Sequence, residues 1–220
     1  MTDTQLVEET ITFVKETLQG AEGGHDWFHI QRVFKNSLLI AKDEKVDILI
    51  VSLAALLHDI ADAKFHDGDE KVGPKLAQQF LSSLPVDKKV AQHVVKIIEN
   101  ISFKNSLEKN QKSKFSSLEL QVVQDADRLD AIGAVGIARA FNYGGFKNRE
   151  IHNPEIPPKL NLTKAEYKKS KAPTINHFYE KLLFLKDKMN TKTGKKLAEE
   201  RHQFMLDYLE QFYKEWNANS

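Results

Sequence analysis

His58 and Asp59 close an apolar run, Ile48–Leu57, and Asp62 follows three residues after Asp59. A helix this apolar is buried on most of its faces. A carboxylate buried beside an imidazole is unfavourable unless both are paired or bind a cation. A divalent metal is the simplest group that would balance them. Asp59 and Asp62, three apart, would share a helix face.

Three further clusters carry similar groups. His25 and His29 lie four apart in His25-Asp26-Trp27-Phe28-His29, a spacing that puts both on one side of a helix that starts early enough. Asp125, Asp127 and Asp130 form an acidic run. His66-Asp67-Gly68-Asp69 is rich in oxygen donors, but its glycine and polar neighbours suggest an exposed turn. A mixed histidine and aspartate set suits Mn²⁺, Fe²⁺, Co²⁺, Ni²⁺ or Zn²⁺ better than Ca²⁺. Mn²⁺ ranks first among them, and Mg²⁺ is also compatible.

Helices must position these groups. Leu6, Ile11, Val14 and Leu18 predict a helix over 4–18, closed by Gly20 and Gly23-Gly24. Asp26 caps a second helix and Asp47 a third, which holds the apolar run. Helices near 72–83 and 87–101 follow, with Pro85 between them, and the polar stretch 104–116 reads as loop. Leu118–Val123 alternates like a strand, but reads better as the start of a helix running into Asp125–Leu129. Residues 142–172 form a long irregular segment, and helices near 174–189 and 194–216 close the chain. The fold class is all-α, with residues 1–220 as a single domain.

The composition of the 220-residue chain, with 41% hydrophobic and 29% charged residues, is that of an ordinary globular protein. The absence of cysteine excludes disulfides, thiolate metal sites and cysteine nucleophiles, and it suits a reducing cytoplasm. No signal peptide is read at the N-terminus. The longest apolar run falls well short of the roughly 20 residues that span a bilayer, so no membrane association is expected. Net charge is +1 but uneven: residues 147–201 carry 14 Lys/Arg against 7 Asp/Glu. That segment could attract an anion, although lysine-rich surfaces are usually just solvated. The near-neutral balance disfavours a general nucleic-acid binder. A homo-oligomer is compatible with the sequence.

Three words in order, HDWFHIQRV, AALLHDIADAKF and DADRLDAIGAVGIARAF, resemble the HD-domain superfamily of metal-dependent phosphohydrolases. The stretch INHFYEKLLFLKDKMNTKTGKKLAEERHQFM resembles its small bacterial branch, so the likeness covers roughly residues 20–215. The resemblance implies an all-helical domain around one divalent ion held by His29, His58, Asp59 and Asp127. Asp127 is preferred to Asp125 because the superfamily's last ligand opens an Ala-Asp-x-Leu word. Asp62 occupies the position at which other branches place an acid that orients or deprotonates water. Arg32 and Lys64 are the cations nearest in sequence to this set. His25 either touches substrate or caps the helix.

A nucleotide is the implied substrate class, with Lys181, Lys186 and Arg201 from the basic segment as phosphate contacts. Trp27, Phe28, Phe141 and Tyr143 either stack on a base or belong to the core. The expected activity is nucleotide hydrolysis, with a triphosphate giving monophosphate and pyrophosphate. A phosphodiesterase or 5′-nucleotidase would use the same metal chemistry, and a nucleotide-binding module with a vestigial site is the non-enzymatic alternative.

Overall fold

The computed structural model describes residues 1–20, 26–61, 69, 71–101, 115–160 and 170–219. Among them the fold is all-α, without a strand. The chain divides into two compact units, Met1–Asp127 and Arg128–Ser220.

In the first unit, α1 (Asp3–Thr17) opens on a capping box in which Thr2 and Gln5 satisfy each other's backbone N–H. The helix α2 (Trp27–Ala41) starts at Asp26, and α3 (Ile48–Leu57) starts at Asp47. The Asp47 carboxylate accepts from Leu49 N and Ile50 N at 2.9 and 3.1 Å. The apolar α3 buries every residue from Ile50 to Leu57 and packs against α1, α2 and α5 (Lys88–Asn100), so it is the axis of this unit. The helix α4 (Val72–Ser83) pairs with α5. Leu118–Val123 is helical, as expected: α6 runs Leu118–Asp130, and Ser117 Oγ accepts from Leu120 N at 3.1 Å at its start.

In the second unit, α7 (Gly133–Phe146) extends five residues into the segment expected to be irregular. Its Gly144 is no helix breaker here. A Cβ at that position would lie 2.1 Å from Thr174 Oγ1, so the missing side chain permits a close approach. The helix expected near 174–189 is instead a short α8 (Asn176–Glu180) followed by 3₁₀ turns at Leu182–Phe184 and Lys186–Lys188. Phe178, Leu182, Leu185 and Met189 are buried at spacings of three and four that a continuous helix would serve equally, and the break comes from the backbone at Lys181, φ −146° and ψ −55°. The last helix, α9 (Lys192–Trp216), begins at a Thr191 cap, two residues before the expected start. No helix among the described residues is long and apolar enough to cross a membrane.

Candidate metal centre

Two helix ends in the first unit place the imidazoles. At the start of α2 the Asp26 carboxylate accepts from His29 N at 3.0 Å, which fixes His29 in the first turn. His29 is fully enclosed. His58 follows the last residue of α3, and its Nδ1 lies 2.8 Å from the Ala55 carbonyl oxygen. A carbonyl only accepts, so Nδ1 carries the hydrogen and Nε2 presents its lone pair. That Nε2 is buried with no hydrogen-bond partner.

The rings of His29 and His58 meet edge-on, with centroids 5.3 Å apart. His29, His58 and Asp59 each offer one ligand atom, all within 4.8 Å of one another. From α6, Asp127 Oδ1 lies 3.7 Å from His29 Nε2 and 3.8 Å from His58 Nε2. These separations are too long for hydrogen bonds. They match the spacing of about 3–4 Å expected between atoms that each bind one ion at about 2.0–2.2 Å. The donor set, the orphaned Nε2 and its fixed tautomer therefore fit a divalent metal. A carbonyl that holds the far nitrogen of a metal-binding histidine is the usual supporting arrangement.

The apolar run Ile48–Leu57 predicts a buried setting for both His58 and Asp59, but only the imidazole is enclosed. The carboxylates are not sealed inside an apolar helix, because α3 ends at Leu57. Asp59 is half-buried and the Asp127 side chain is 42% exposed, so the centre is enclosed on the imidazole side and open on the carboxylate side.

Asp62, Lys64 and His25 lie outside the described residues, as do all of His66-Asp67-Gly68-Asp69 except Asp69. Arg32, one turn after His29, is half-buried and is not without an interaction partner. In the second unit Lys186 Nζ is 3.2 Å from both oxygens of Glu199, and Arg201 Nη1 donates to the Leu129 carbonyl. Both therefore already have protein partners. Burial lowers the Arg201 pKa, and the charges of Asp130 and Glu200 oppose that shift. Lys181 lies beside His177, whose pKa is lowered to about 3 by burial first, then by the charges of Lys181 and Arg149. Of the aromatic residues, Phe141 packs with Phe178 and Tyr208, Lys15 sits over Trp27, and Phe28 is exposed.

Spacing alone could not divide the three aspartates of α6. Asp125 is fully buried, Asp127 reaches the imidazoles, and Asp130 is buried against Arg139 at 2.8 Å. Sequence reading also missed a polar group in which His93 Nε2 meets Ser117 Oγ at 2.9 Å and Glu119 Oε2 at 3.6 Å. Both contacts fall on one nitrogen, whereas an acid that orients a histidine base sits on the other. Ser117 caps α6, so the group is structural.

Comparison with known proteins identifies the family. The HD domain model matches residues 27–132. The chain is 40% identical to the uncharacterized protein YpgQ of Bacillus subtilis, over 98% of this chain and 96% of that one. A crystal structure of an HD-superfamily hydrolase from Bacillus thuringiensis superposes with a TM-score of 0.78 at 44% identity, covering 99% of this chain and 100% of that one. The crystal structure of YpgQ in complex with ADP superposes with a TM-score of 0.76 at 38% identity, covering 98% and 97%. The chain therefore belongs to the HD-domain superfamily of metal-dependent phosphohydrolases.

Proposed function

We propose that this protein hydrolyses nucleotides, converting a nucleoside triphosphate to the monophosphate and pyrophosphate, with Mn²⁺ as its ion. The observation that carries the reading is His58: a tautomer set by the Ala55 carbonyl and a buried Nε2 without a hydrogen-bond partner, facing His29 and Asp127. The nucleotide is supported by the ADP complex of YpgQ, a relative alike over nearly the whole chain. The continuity of α6 across residue 127 supports treating residues 1–220 as one functional domain. A cysteine-free chain suits the cytoplasm.

His29, His58, Asp59 and Asp127 hold the ion. When bound, it supplies Lewis acidity toward water and phosphoryl oxygens. Asp62 accepts a proton from the attacking water as the new oxygen–phosphorus bond forms at the α-phosphorus and the bond to the bridging oxygen breaks. Arg32 and Lys64 are the candidate cations for the charge that gathers on the phosphoryl oxygens. Lys181 and His25 are the remaining candidates for substrate contact, as the family resemblance suggests.

The test is a screen of purified protein with Mn²⁺ against nucleoside mono-, di- and triphosphates and cyclic nucleotides. Pyrophosphate release from triphosphates is expected. Orthophosphate release from monophosphates would make the protein a 5′-nucleotidase, and cleavage of cyclic nucleotides a phosphodiesterase. Binding without turnover would leave a nucleotide-binding module.

A further inference from the structure

The last turn of α6 begins at Asp127; two arginines, Arg139 and Arg201, donate to carbonyls of that turn, while Arg128, within it, donates outward. Arg128 Nη1 donates to the Lys188 carbonyl. Arg139 Nη1 donates to the Asp130 carbonyl at 3.2 Å and to its carboxylate at 2.8 Å. Arg201 Nη1 donates to the Leu129 carbonyl. The final carbonyls of a helix have no partner within it, and cations are favoured at that negative end of the dipole. The stem of Arg201 is fixed as well. It lies 3.0 Å from where a Cβ on Gly133 would stand, and Gly133 has φ +74°, a conformation that glycine adopts without strain. Arg201 is thus tied at its stem and at its head, 72 residues along the chain from the carbonyl it holds.

The geometry points to Arg201 as a positioning residue for the metal centre: by holding the Leu129 carbonyl it sets the final turn of α6, and with it the placement of Asp127. This rests on the reading of Asp127 as a ligand. It assigns to Arg201 a task different from binding phosphate, and it makes Arg139 a second support of the same turn.

The test titrates Mn²⁺ alone into the metal-free full-length chain by calorimetry. Arg201→Met keeps the stem and removes the donor, and its Mn²⁺ affinity is expected to fall by about 10- to 100-fold, as for other groups that support a metal ligand from behind. Arg201→Lys, which keeps a cation and a donor, is expected to recover most of that loss. At saturating Mn²⁺ the KM for nucleotide is expected to stay at the wild-type value in both. A lowered melting temperature with unchanged Mn²⁺ affinity would overturn the proposal, as a merely structural role. A raised KM with unchanged Mn²⁺ affinity would overturn it in favour of phosphate binding. If Arg201→Met does not fold, Arg201→Lys and Arg139→Gln carry the test, and wild-type affinity in both refutes it. Asp127→Asn is the separate control: if it binds Mn²⁺ like the wild type, Asp127 is no ligand and the metal-centre reading itself fails.

Discussion

Replacing His58 with leucine should move stability in opposite directions with and without metal. The imidazole side chain is 4% exposed, so leucine of similar size would occupy the same enclosed space. In the metal-free protein the Nε2 lone pair is buried without a hydrogen-bond partner. An unsatisfied buried polar atom costs about 1–3 kcal/mol, and leucine removes that cost. Leucine also removes the Nδ1 hydrogen bond to Ala55, worth about 0.5–1.5 kcal/mol. The metal-free variant should therefore lie between about 0.5 kcal/mol below and about 2.5 kcal/mol above the wild type, with about 1 kcal/mol of added stability as the central value. Mn²⁺ reverses the order. At a free concentration of 100 times Kd the wild type gains about 2.7 kcal/mol. At about 2–4 °C per kcal/mol for a chain of this size, that is a rise of about 5–11 °C. The variant should gain almost nothing. Thermal unfolding of both proteins, in EDTA and in Mn²⁺, measures all four values. A His58→Leu variant clearly less stable than the wild type in EDTA, or one that keeps the Mn²⁺ shift, would refute this role for His58.

Three other outcomes follow from named contacts. Asp26→Ala should destabilise the first unit by about 1 kcal/mol in urea titrations, because it removes the carboxylate that accepts from His29 N. Gly133→Ala should cost about 1–3 kcal/mol by the same assay, since alanine disfavours φ +74° and its Cβ would stand 3.0 Å from two Arg201 carbons. His177 gives the fold a pH dependence: its pKa is about 3 when folded against an ordinary 6.5, so below pH 6.5 the unfolded chain takes up a proton that the folded one refuses. Stability should fall as pH drops from about 6.5 toward 3, by at most about 1.4 kcal/mol per pH unit from this group, and His177→Gln should flatten the slope in unfolding titrations across that range.

Much of the first unit was legible because its helices begin where side chains announce them. Asp26, Asp47 and Asp87 each accept backbone N–H groups at a helix start, and each precedes an apolar periodicity that buries a defined face. The second unit was harder to read. Gly144 looks like a breaker until Thr174 is seen against it, a contact between residues 30 apart that periodicity cannot report. The buried spacing Phe178, Leu182, Leu185, Met189 suits a continuous helix as well as successive 3₁₀ turns. Only the backbone torsions at Lys181, φ −146° and ψ −55°, show where the helix stops.

The same distinction separates the metal ligands from Arg201. Each candidate ligand stands within one turn of a helix end: His29 after the Asp26 cap, His58 and Asp59 just past Leu57, and Asp127 three residues before the close of α6. Helix ends are where backbone groups lack partners and local side chains must supply them, so sequence is most explicit there. The tautomer of His58 follows from a bond to a carbonyl only three residues back. Arg201 carries no such local signature. It closes the basic segment 147–201, where charge alone suggests an anion. Its guanidinium donates to a neutral carbonyl on another helix, and an oriented carbonyl at a helix C-terminus attracts a guanidinium much as a carboxylate would. A cation read from sequence as a ligand for phosphate can thus be committed to the backbone, and metal affinity measured apart from substrate binding is the quantity that tells the two apart.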